Sequence, residues 1–191
     1  LSHVTVAENV QIYGALKREK LLNTFIEEIK TVFPEIAGFD MIPYPDGSQA
    51  AVCIVKHDEE MLPIYAYGDG IQKWFYILGS MVLYRNSIIC IDEVDTGFHP
   101  AAQEKFCANL IEAAKRNNVQ IFMTTHNLEF IDNLLKASAK IDDKDSLRII
   151  TLRENKNKQI TREENDSKIF TRVLDASEAS EARNEFSIDL R

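Results

Sequence analysis

Glycine and proline are scarce in this chain, 7 and 5 among 191 residues, which excludes a fibrous or low-complexity protein and favours an ordinary packed domain. Cysteine is scarcer still. Cys53, Cys90 and Cys107 have no CxxC spacing, so reduced thiols of a cytoplasmic protein are expected, with Cys90 acting as a small hydrophobe inside an apolar strand. Long apolar runs are missing too: "WFYILGSMVLY" at 74–84 falls well short of the ~18 residues that cross a bilayer, and no basic-then-apolar leader precedes it. No membrane segment is expected. Positive charge is also short. Lys and Arg total 22 against 30 Asp and Glu, a net charge of −8, which excludes coating nucleic acid through the overall field and leaves only a local basic groove open.

What remains is a chain 45% hydrophobic and 27% charged, about one domain long on an expectation of ~100–200 residues per domain. From Val6 to Phe33, apolar residues recur at steps of three and four, which predicts one helix ended by Pro34. "GFDMIP", "QAAVCIVK" and "MLPIYAY", separated by "YPDGS" and "HDEE", predict a small antiparallel sheet. A largely buried helix is expected from Ile71 to Tyr84 and a strand over 87–92. A second helix, opened by Pro100 and running to about Arg116, should bury Phe106, Leu110, Ile111 and Ala114. "VQIFMTTH" reads as a second buried strand, and Asn127 as the N-cap of a helix to about Ala137. Strand, helix, strand, helix implies two parallel strands in a buried sheet. In the tail, "LRIITLRE" and "QITREE" look like a hairpin, followed by a mixed-charge helix before "FSIDLR".

In a parallel α/β sheet, ligands gather beyond the carboxyl ends of the strands. The stretch "SIICIDEVDTGFHP", 87–100, delivers Asp92 and Glu93 to that edge, with Asp95 and His99 beyond. The neighbouring strand delivers Thr124, Thr125 and His126. A third element is "YGDGIQKWF", where Gly68 and Gly70 bracket Asp69 before a helix, an entrance whose N–H groups suit an anion. Singly these signals are weak: a capped turn, a satisfied histidine and Asp69 as a plain N-cap would explain them.

Their order and spacing, 22 residues from Gly70 to Asp92 and 34 from Asp92 to His126, resemble the C-terminal half of an ABC-type, AAA-like P-loop ATPase related to the overcoming-lysogenization-defect and chromosome-maintenance ATPases. "YGDGIQK" resembles the signature motif, "IICIDE" Walker B, "VDTGFHP" the D-loop and "TTHN" the switch-histidine loop. The resemblance is close over 61–137 and looser over the helix and small sheet of 1–60 and the strands and helix of 138–191. It implies an α/β ATPase lobe with helix-flanked parallel strands and a small antiparallel sheet, using ATP and Mg²⁺. By the same resemblance, Asp92 would hold the metal, Glu93 would polarise the attacking water and His126 would contact the γ-phosphate, with Thr125 beside it. Gly68, Asp69 and Gly70 would meet the nucleotide of a second copy, so a homodimer is implied, with a nuclease or DNA as a further partner.

Two positions depart from the family: Gly68 stands where its signature serine is usual, and His99 where the D-loop aspartate is usual. A larger departure is that none of the seven glycines, at 14, 38, 47, 68, 70, 79 and 97, starts a GxxxxGK[ST] loop, the nest of N–H groups and lysine that cradles phosphates. With Leu1 rather than Met in first place, a single C-terminal lobe is expected, inactive alone and completed by an N-terminal Walker A lobe. Two other readings stay open. One is a divalent-metal phosphoesterase or nuclease using Asp92, Glu93, Asp95, His99 and His126. The other is a non-catalytic module that binds a partner through the first helix and the small sheet.

Overall fold

A computed structural model describes residues 4–43, 50–56, 60–141, 147–154 and 169–186. It divides into two compact units, Leu1–Thr125 and His126–Arg191.

The first unit begins with two helices where the apolar periodicity predicts one. α1 (Val6–Arg18) opens on a reciprocal cap: the Glu8 N–H donates to Thr5 Oγ1 at 3.3 Å, and the Thr5 N–H donates to the Glu8 carboxylate at 2.7 Å. It stops because Lys20 turns left-handed, φ 60°. Lys20 N–H then reaches the Lys17 carbonyl, and Leu21 N–H the Leu16 carbonyl, the double closure of a Schellman turn. Lysine occupies the position where glycine would have announced the break. α2 (Leu22–Lys30) follows.

β1 (Ile36–Pro43), β2 (Ala50–Lys56) and β3 (Met61–Pro63) form the expected antiparallel sheet in sequence order. The "YPDGS" turn and most of "HDEE" lie outside the described residues. A 3-10 turn at Ile64–Tyr67 leads into α3 (Asp69–Leu83), the central helix, buried from Ile71 to Val82 except at Tyr76. Phe75 meets Phe25 and Phe39 with ring centroids 4.9 Å away in each case, so α2, β1 and α3 share one aromatic cluster. α1 packs on α3 across Gly79, where an added Cβ would lie 2.5 Å from Ile12 Cγ2.

β4 (Ile88–Ile91), α4 (Pro100–Asn117) and β5 (Gln120–Met123) complete this unit, and β4 pairs with β5 in parallel, as the strand–helix–strand order predicts. α4 buries Phe106, Cys107, Leu110 and Ala113, while Ile111 and Ala114, at the edge of that stripe, are only half-buried. The register is set at the strand entrances. Asn86 N–H donates to the Asn117 carbonyl at 3.1 Å, and Asn118 Nδ2 to Asn86 Oδ1 at 2.8 Å. Arg85, Arg116 and Asn117 meet Glu28 there, whose side chain is 12% exposed.

The expectation of a buried sheet is wrong on one face. The register puts Ile88, Cys90 and Phe122 on the same side, and all three are exposed, Ile88 at 62% and Phe122 at 48%. Cys90 is therefore a surface thiol rather than a core hydrophobe. A two-stranded sheet with helices against one side leaves the other to solvent, whatever its residues.

In the second unit, Asn127 caps α5 (Leu128–Lys140), its Oδ1 accepting from the N–H groups of Glu129 and Phe130. β6 (Arg148–Glu154) pairs antiparallel with β7 (Ile169–Asp175), and α6 (Ala176–Phe186) packs on α5. The hairpin partner is thus "IFTRVLD"; "NKNK", "QITREE" and the end of "FSIDLR" lie outside the described residues. α6 starts on an Asp175–Glu178 reciprocal cap.

Candidate functional site

The carboxyl ends of β4 and β5 are joined through Thr124. Its N–H continues the ladder to the Ile91 carbonyl at 3.0 Å, and its own carbonyl accepts from Val94 N–H at 3.0 Å. Its hydroxyl donates to Asp92 Oδ1 and accepts from Glu93 N–H at 3.0 Å. One short side chain thus holds both acids of "IICIDE" at the edge where the sequence places them. Asp92 is exposed and Glu93 half-exposed, so their carboxylates lie within reach of solvent and ligand. Next to it, Thr125 donates its hydroxyl to Asp95 at 2.5 Å, tying the end of β5 to the loop after the acids.

Glu93 adopts a left-handed backbone, φ 46°, which costs a residue with a Cβ roughly 1–2 kcal/mol. The turn is held from both sides. Thr124 takes the Glu93 N–H, while the Glu93 carbonyl accepts from Lys73 Nζ at 2.6 Å and from Thr96 Oγ1 at 2.9 Å. Lys73 also donates to Thr96 Oγ1 at 2.8 Å and to the Thr96 carbonyl at 3.3 Å. It is 3% exposed. Burial pushes its pKa down, opposed by the charges of Asp95, Glu93 and Asp92.

The glycine-led entrance of α3 meets the same loop. Gly68 is the N-cap, with φ 95° and open space around it. That backbone favours glycine, which gives a local reason for the departure from the family's signature serine. Asp69 is the first helical residue rather than the cap, and its carboxylate accepts from Gln72 Nε2 at 3.4 Å. Gly70 lies against the D-loop: a Cβ on it would come within 2.9 Å of the Gly97 carbonyl oxygen, and one on Gly97 (φ 85°) within 3.2 Å of Asp69 Cβ. "YGDG" and "DTGF" therefore touch backbone to backbone.

Of the residues singled out from sequence, the first unit brings together Asp92, Glu93, Thr125, Gly68, Asp69 and Gly70 around this loop. His126, exposed, is the first residue of the second unit. Lys73 and Thr96 escaped the sequence reading: a lysine beyond an apolar helix entrance looks solvated, and only its burial shows otherwise. Among the described residues no three His, Cys, Asp or Glu side chains come together to hold a metal ion.

Residues 13–132 match the family described as "AAA domain, putative AbiEii toxin, Type IV TA system". The chain belongs to this family. A Helicobacter pylori "ATP/GTP phosphatase" is 36% identical over 83 residues, 42% of this chain and 22% of that protein. "Uncharacterized protein MJECL11" of Methanocaldococcus jannaschii is 36% identical over 73 residues, 38% of this chain and 64% of that one. The chain thus spans under a quarter of the first relative and under two thirds of the second. A solved structure described as "Structural biochemistry of ATP-driven dimerization and DNA stimulated activation of SMC ATPases" matches 95% of this chain and 98% of its own, with TM-score 0.55 and 14% identity. Fold and family agree with the resemblance read from the signature, Walker B and D-loop motifs: the chain carries an AAA-family domain of mixed α/β architecture whose fold is similar to that of the SMC ATPase structure.

Proposed function

We propose that the chain is a single C-terminal lobe of a Mg²⁺-dependent, ABC-type ATPase, active once an N-terminal lobe supplies the Walker A loop. One observation carries the reading: two strand-end acids are pinned by Thr124 next to a loop that the signature-like helix touches directly. The family match and the nucleotide phosphatase activity named for the Helicobacter relative support a nucleoside triphosphate as substrate.

Mg²⁺ suits Asp92, because this ion keeps several waters and takes one or two carboxylates plus phosphate oxygens rather than a cage of side chains. When bound, it would neutralise charge on the phosphates. Glu93 orients the attacking water and accepts its proton. By the family resemblance His126 and Thr125 would serve the γ-phosphate, and Gly68, Asp69 and Gly70 would offer helix-entrance N–H groups to the nucleotide of a second copy. Homodimerisation is supported by the ATP-driven dimerisation named for the fold neighbour. A nuclease or DNA partner and a cytoplasmic setting complete the proposal; among the described residues no helix is long and apolar enough to cross a membrane.

The test is ATP turnover by a protein carrying this lobe together with a GxxxxGK[ST] lobe. Turnover should need Mg²⁺, vanish with a chelator and be lost in Asp92→Asn, while the 191-residue chain alone stays inactive. Turnover indifferent to Mg²⁺ and to Asp92 would contradict the assignment. Phosphodiester cleavage by the isolated chain would favour a metal nuclease instead.

A further inference from the structure

We propose that Lys73 is a positioning residue for hydrolysis, its buried ammonium locking the left-handed turn that aims Glu93. This deepens the ATPase reading and rests on it. The three hydrogen bonds of the ammonium go to neutral oxygens, the Glu93 carbonyl at 2.6 Å, Thr96 Oγ1 at 2.8 Å and the Thr96 carbonyl at 3.3 Å. A buried cation is costly unless its donors are satisfied, and a methionine would fill the same channel without that cost. What the ammonium adds is a fixed point. It gathers two carbonyls and a hydroxyl, three residues apart, onto one centre, holding closed a loop whose first residue has φ 46°.

Thr124 secures the N–H side of Glu93 from β5, and Lys73 secures the carbonyl side from α3. The Glu93 peptide therefore hangs between the sheet and the signature-like helix. Lys73 lies three residues, one turn of α3, beyond Gly70, the glycine that abuts the Gly97 carbonyl oxygen. Any shift of that helix entrance moves the Glu93 carbonyl with it. The turn is thus referenced to the same helix that would meet the opposite copy's nucleotide.

Lys73→Met, which keeps the stem and removes the charge, tests this in the protein carrying both lobes. The expected result is kcat lowered about 10- to 100-fold, the loss that follows a small misplacement of a catalytic group, with KM for ATP within about twofold. Lys73→Arg, which retains a donor cation, should recover part of kcat. A purely structural lysine would lower the folded fraction and leave kcat per nucleotide-binding site unchanged; that result, or a raised KM with intact kcat, overturns the proposal. Amide hydrogen exchange on the 191-residue chain separates this claim from the reading beneath it. In Lys73→Met, exchange should quicken at Val94 and Thr96 and stay unchanged at Ile77 and Leu78. If the wild-type assembly shows no turnover, the ATPase reading fails, and unchanged exchange at Val94 and Thr96 would independently overturn the lock.

Discussion

α3 and the β4–β5 pair are comparably apolar in sequence, yet they meet solvent in opposite ways. α3 is flanked by α1, α2 and α4 and meets β1 through Phe39, and even Lys73 and Gln72 are buried. The parallel pair is covered on one side and exposes Ile88, Cys90 and Phe122 on the other. Stability therefore resides in the helix and its aromatic cluster, while the strands serve to present Asp92, Glu93 and Thr124. An apolar strand reports that a sheet is built for cover, and the number of its neighbours decides whether cover is present.

This contrast can be broken by substitution. Phe75→Ala removes the ring shared by α2, β1 and α3 and should cost about 3–5 kcal/mol, measured by urea unfolding. A cost below ~1 kcal/mol would deny the cluster its central role. Gly79→Ala drives a methyl toward Ile12 and should cost about 1–3 kcal/mol; coupling with Ile12→Ala, which makes room, should return part of it. Ile88→Thr and Phe122→Ser, by contrast, should stay within about 0.5 kcal/mol in this chain, and a larger loss would mean the exposed face is covered after all. Cysteine alkylation sharpens the same point without changing stability. Cys90 should label readily, whereas Cys107, whose pKa burial pushes up to about 12, and Cys53, raised by burial and then by Asp40, should label only on unfolding. Slower Cys90 labelling in a protein carrying both lobes would mean the added lobe covers that face.

Much of this was legible beforehand, for identifiable reasons. The antiparallel sheet, α3, α4 and the parallel pairing follow from period and punctuation, and the strand-end acids follow from the rule that parallel sheets offer ligands their carboxyl edge. The break after α1 was hidden because Lys20 adopts a conformation usually betrayed by glycine. The hairpin partner differs because the mixed charge beyond "QITREE" reads as helix throughout, whereas "IFTRVLD" pairs with Arg148–Glu154 and the helix begins only at Ala176. At the site, Gly68 looked like a missing serine until its φ of 95° gave glycine a backbone reason. Lys73 was invisible because nothing local distinguishes a buried lysine from a solvated one; its partners lie 20 and 23 residues away.

The central claim is that the turn after β4 hydrolyses a nucleotide through Glu93. Its most direct test is Glu93→Gln in a protein carrying both lobes, with bound nucleotide and turnover measured together. The account predicts turnover lowered on the order of 100-fold or more, with Mg²⁺·ATP still bound and the paired form accumulating. Turnover unchanged by the substitution would contradict it.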